Sequence, residues 1–156
     1  MKRSIVAAAF SAALLTAVLP GTSFGQEHEE EAHVLVRLGD RAWEYHPDQL
    51  QPLATKEFMS SRGTKKNPAI PLNALLMKDT KVPLERIIGV AVIGEDRVLF
   101  LEGEHLRHLT RLLLKIGSHE LTLVPENEET YKALRSILGK PRLEAVERID
   151  IFERRR

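Results

Sequence analysis

The chain has 156 residues, 43% of them hydrophobic and 29% charged, with 23 Lys and Arg against 22 Asp and Glu and no cysteine. So even a balance offers no broad cationic surface for nucleic acid. The missing thiols exclude disulfides, thiolate metal sites, a cysteine nucleophile and a lipid-modified cysteine.

The N-terminal residues read as an export signal. Lys2 and Arg3 precede an apolar run from Ile5 to Leu19, a Pro20-Gly21 break and Ser23-Phe24-Gly25, with small residues at the two positions a signal peptidase inspects. The run is 15 residues, short of the ~20 that a bilayer-spanning helix needs, and no second long apolar stretch follows. Cleavage after Gly25 leaves 131 residues, with 21 bases against 22 acids once Lys2 and Arg3 are gone. That length fits one domain around one core. The reading is a signal peptide over 1–25, an acidic flexible leader over 26–33, a single α+β domain over 34–153 and a basic tail over 154–156. Such a protein is soluble, periplasmic or secreted, with no stable membrane anchor and no nucleic-acid partner.

Order begins at Val34. Val34 to Leu38, the turn signal Gly39-Asp40 and Ala42-Trp43-Glu44-Tyr45 form a β-hairpin. Asp48 caps a short helix bearing Leu50 and Leu53, which Pro52 keeps short. Ser60 to Pro71 is the most polar interior stretch and reads as a long surface loop. Pro71-Leu72-Asn73-Ala74-Leu75-Leu76-Met77 gives a helical turn with apolar residues at 72, 75 and 76. Arg86 to Val92 and Arg97 to Leu101, separated by Gly94-Glu95-Asp96, form the clearest hairpin. Glu102 to Thr110 reads as a short helix with Leu106 and Leu109 toward the core.

Residues 111–124 fit either a helix or a hairpin. Gly117-Ser118-His119 and the alternating return through Leu121-Thr122-Leu123-Val124 favour the hairpin. Thr130 to Leu138 is a helix with Tyr131, Leu134, Ile137 and Leu138 on one face, stopped by Gly139 and Pro141. A last strand runs from Val146 to Phe152. Hairpins with interspersed short helices give an α+β domain with a mixed, mainly antiparallel sheet.

Taken in order, these segments resemble the domains of the sulfite oxidase-like, molybdopterin-binding oxidoreductase family. The resemblance rests on Leu50-Gln51-Pro52-Leu53, the Ile70 to Leu76 helix, the hairpin from Ile88 through Leu101, the strand Leu121-Thr122-Leu123-Val124-Pro125, and Val146-Glu147-Arg148-Ile149-Asp150-Ile151. It implies the family's fold over residues 34–152. In enzymes of that family a cysteine thiolate ligates the molybdenum, and this chain has no such ligand. The resemblance therefore implies a short, cysteine-less relative that binds without redox chemistry, and no molybdopterin is expected.

Other candidate sites are sparse. If Gln26 keeps a free amine after cleavage, Gln26-Glu27-His28 presents an amine, two amides and the His28 imidazole in the order that wraps Cu(II) or Ni(II) in a square plane. Cyclisation of Gln26 to pyroglutamate would remove that amine. His105 and His108 stand three apart, with Glu102, Glu104 and His119 as further donors, but Arg107, Arg111 and Lys115 surround them, and a solvated polar face is the better account. Arg62-Gly63-Thr64-Lys65-Lys66 could hold an anion and reads first as a solvated loop. Ser60, Ser61 and Ser118 sit in no nucleophile elbow. Trp43, Tyr45, Phe58 and Phe100 read as core.

The sequence thus reads as an exported non-catalytic domain that binds a protein or small ligand. The alternative is an accessory component of a periplasmic redox or metal-handling system, its His-bearing leader delivering a metal.

Overall fold

The computed structural model describes residues 32–59 and 66–154. The segment read as an export signal, most of the segment read as a leader with Gln26 and His28, residues 60–65 and the end of the basic tail lie outside the described residues.

Four hairpins build two sheets in alternation. The first pairs β1 (Val34–Leu38) with β2 (Arg41–Tyr45), and the second pairs β3 (Lys56–Met59) with β4 (Lys66–Pro71). The third pairs β5 (Ile87–Ile93) with β6 (Val98–Glu102), and the fourth β7 (Leu112–Ile116) with β8 (Leu121–Pro125). The first and third enter one sheet and the second and fourth the other. The closing strand β9 (Arg148–Glu153) lies between β1 and β5, parallel to β1 and antiparallel to β5. Sheet A runs β2-β1-β9-β5-β6 and sheet B runs β3-β4-β7-β8. The result is the expected α+β fold with mainly antiparallel pairing, and residues 111–124 take the hairpin alternative.

Alternation decides what is buried. Val34, Val36, Ile149, Ile151, Val90, Val92, Leu99 and Leu101 point inward from sheet A, and Ile70, Leu112, Leu114, Leu121 and Leu123 from sheet B, into one core. The helices close it. In α2 (Leu72–Thr80), Leu72, Leu75 and Leu76 are fully buried, and in α3 (Glu128–Leu138) Leu134 and Leu138 are. A second small cluster, Ala69, Leu113 and Val124 with Phe58 against them, occupies the other face of sheet B. No helix among the described residues is long and apolar enough to cross a membrane.

Five expectations change. Lys66 to Pro71 is a strand and not a loop, with Ala69 and Ile70 fully buried. Prolines at 68 and 71 bias the residues before them toward extended backbone, and Pro68 lies where β4 is paired only with β3, since the β7 register begins at Ala69. The short helix α1 (Pro47–Leu50) is capped at His46, whose N–H donates to Gln49 Oε1 at 3.0 Å, while Asp48 lies one position inside. Val146 precedes the last strand and donates its N–H to Leu121 O at 2.8 Å, so the segment 143–146 runs along β8. Phe100 is 43% exposed on the outer face of sheet A and is not core. Ala32, at the end of the acidic leader, packs against the core.

Candidate functional site

A cleft of about 580 Å³ lies at the outer face of sheet B. Its position follows from how β8 hands over to α3. The strand ends at Pro125, and Asn127 caps the helix by accepting the Thr130 N–H at 2.9 Å on Oδ1. One helical turn on, Tyr131 turns its ring to the cleft and donates its hydroxyl to Gly139 O at 3.1 Å, which ties it to the helix C-terminus. Pro141 and Arg142, just past that terminus, form the facing lip.

The floor is apolar and the rim is charged. Phe58 from β3 and Val124 from β8 supply the floor, and Lys115 from β7 stands beside them. Glu126 is held by an ion pair with Lys56, and Glu128 pairs with Lys132 at 3.0 Å. Arg142 contacts Glu144 at 2.8 Å. Lys115 has no ion-pair partner among the described residues. The site therefore offers two aromatic rings, two prolines and an uncompensated ammonium. Size and lining match those of small-ligand sites.

Among the described residues the two clearly shifted ionisable groups lie elsewhere. Tyr45 donates its hydroxyl to Asp79 Oδ2 at 2.6 Å, and burial together with that carboxylate raises its pKa above the usual tyrosine range. His108 is pushed below its usual value by burial and then by Arg107, Arg111 and His105. His105 and His108 lie on the 3-10 turn Gly103–His108, where Arg107 Nε donates to His108 Nε2 at 3.3 Å. That contact occupies one of the two imidazole nitrogens that a metal could use. Glu102, Glu104 and His119 do not join them as a metal's ligand set. His119 is exposed on the β7–β8 turn beside Ser118.

Of the other sequence candidates, Lys66 is bound up with Glu57 at 2.9 Å, and the rest of the basic loop and Ser60 and Ser61 lie outside the described residues. Trp43 is half-buried with the Arg41 guanidinium 5.4 Å above its ring. Phe58, read as core, instead lines the cleft. Tyr131 was legible only as a helix-face residue, and Lys115 only as a charge near two histidines. No family model, curated protein or solved structure matches the chain.

Proposed function

We propose that this chain is an exported, non-catalytic binding domain, and that the cleft between sheet B and α3 takes a ligand with a flat or extended apolar body and one anionic group. The observation that carries this reading is the pairing of Phe58 and Tyr131 with the unneutralised Lys115 at one cavity. An apolar floor favours burial of rings, and a lone ammonium at the rim favours a carboxylate, sulfonate or phosphate over a cation. Supporting a binding role over chemistry, the perturbed groups Tyr45 and His108 lie outside the cleft, and the carboxylates at its rim are already paired. The sulfite oxidase-like resemblance belongs to the same proposal, as a fold kept for binding without the metal-ligating cysteine.

Anilinonaphthalene sulfonate, an aromatic body with one sulfonate, is the probe. The folded protein should bind one equivalent saturably. Phe58→Ala and Lys115→Glu should each weaken binding several-fold, and Arg37→Glu, at an exposed position on β1 in the other sheet, should not. Equal binding by all three variants would remove the cleft from the reading. Intact mass of protein recovered from the periplasm checks export, with a chain beginning at Gln26 expected.

A further inference from the structure

Among the described residues the two sheets have four edge strands, β2, β6, β3 and β8, and three of them are guarded. β2 carries the exposed charges Arg41 and Glu44, and β3 carries Lys56 and Glu57. Along β8 the segment 143–146 stands in for a further strand, with Leu143 and Leu123 exchanging both backbone hydrogen bonds at 2.9 Å. Charge and cover are the usual means by which a sheet edge is kept from pairing. β6 has neither along most of its length. It runs Val98-Leu99-Phe100-Leu101-Glu102, its one charge stands at the end, and Val98 is 58% exposed.

The backbone of β6 is set for a partner. Gly94 N–H donates to Arg97 O at 3.0 Å, and alternation along the β5–β6 ladder then makes Val92 with Leu99 and Val90 with Leu101 the hydrogen-bonded pairs. Leu99 and Leu101 therefore direct their N–H and C=O groups to β5. Val98, Phe100 and Glu102 turn theirs to the open side, where no strand or other backbone group among the described residues meets them. The side chains of the same three residues lie on the outer face of sheet A, where Phe100 rests against Phe152 and Ile88 is also about half exposed.

We propose that this edge is a homodimer interface, in which β6 pairs antiparallel with β6 of a second copy about a two-fold axis through Phe100, so that sheet A of one copy continues into sheet A of the other. A second copy fits because the strand is complementary to its own reverse. Phe100 faces Phe100 across the axis, an aromatic cross-strand pair, and Glu102 comes opposite Val98, two residues from Asp96. Glu102 is exposed and has no ion-pair partner among the described residues. The Lys140 ammonium stands 3.5 Å from Asp96 and is 73% exposed, so each Glu102 meets a lysine of the other copy. A slip of the register one way sets Glu102 against Asp96, and a slip the other way sets it against Phe100, which fixes the axis at Phe100. Such an interface is small beside the ~800 Å² per partner of a standard one, so the dimer should dissociate on dilution. Val98, Phe100, Glu102 and Lys140 do not line the cleft, and the interface stands or falls apart from it.

The test is sedimentation velocity of the purified protein over roughly 1–100 μM, a span in which mass action displays such a dimer. Monomer should give way to dimer as the concentration rises. Phe100→Lys and Val98→Lys should each weaken association by about tenfold or more, as the loss of an interface anchor does. Glu102→Lys and Lys140→Glu should each weaken it, and the two together should restore it, because the pair is then rebuilt with its signs exchanged. Met77→Lys, exposed on α2, and Phe58→Ala, in the cleft, should associate as wild type. The Phe100 amide should exchange slowly with deuterated solvent in the dimer and rapidly in Val98→Lys. Since Val98 is more than half exposed, that variant should keep the wild-type circular dichroism even where Phe100→Lys does not. A chain that stays monomeric throughout, a dimer that survives Val98→Lys, or a double charge exchange that recovers nothing would overturn the assignment.

Discussion

Phe152 stands edge-on to Phe100 on the outer face of sheet A, ring centroids 5.8 Å apart and planes at 70°. Gly89 makes room for the pair. A Cβ there would lie 3.0 Å from Phe100 Cζ and 3.6 Å from Phe152 Cδ2, but both rings are nearly half exposed and can swing outward. At Gly94, at the end of β5, a Cβ would meet the Glu144 backbone oxygen at 2.5 Å, and backbone cannot step aside in the same way. Gly94→Ala should therefore cost ~1–3 kcal/mol, as overpacking does. Gly89→Ala should cost less than ~1 kcal/mol. Urea unfolding of the two variants checks the order, and the reverse order would contradict this account.

Arg97, at the turn before β6, donates Nη1 to Leu138 O at the end of α3 and Nη2 to Arg142 O in the loop beyond. One planar fork thus ties the third hairpin to the helix C-terminus, where a cation also complements the helix dipole. Arg97→Ala should destabilise the fold by about 2 kcal/mol, with partial exposure holding it below the full value of two charged hydrogen bonds. Lys at 97 should recover only part of this, because an ammonium cannot span both carbonyls. Denaturant midpoints of the two variants measure both effects.

Tyr45 and Asp79 join β2 to α2, and Lys78 Nζ lies 4.8 Å above the Tyr45 ring. Tyr45→Phe should cost about 1.5–3 kcal/mol, the range for a hydrogen bond to a charged acceptor. The folded chain holds the phenolic proton more tightly than the unfolded chain does. This contribution is therefore complete below pH ~10 and declines as the pH rises through that value. Difference absorbance at the tyrosine band should show one phenol titrating later than a free tyrosine.

His108 acts in the opposite sense. Its folded pKa lies below the unfolded value of 6.5, because burial and then Arg107 and Arg111 disfavour the imidazolium. Its contribution is complete above that value. As the pH falls through it the unfolded chain takes up a proton first and stability drops, until the pH passes the lower folded value. His108→Gln should flatten this part of the profile. The difference between wild-type and variant unfolding free energies from pH 7.5 to 5 isolates it.

The hairpins were legible because each pairs apolar alternation with turn chemistry at Gly39-Asp40, Gly94-Glu95-Asp96 or Gly117-Ser118. β4 was not, since its prolines and lysines read as a loop, and its burial comes from β7, remote in sequence. Phe58, Lys115 and Tyr131 carry no shared motif, and only the packing of β3, β7 and α3 brings them to one cleft.

The parallel pairing of β1 with β9 bears on when the molecule can fold. Val36, near the start of the described residues, takes its place against Ile149, and β9 alone joins the β1–β2 ribbon to the β5–β6 ribbon. During synthesis each hairpin can form as it emerges, but sheet A stays in two halves with open edges until residue 148 and those after it are available. A nascent chain held short of that point exposes the inward-facing valines of β1 and β5. That is the state a holding chaperone recognises.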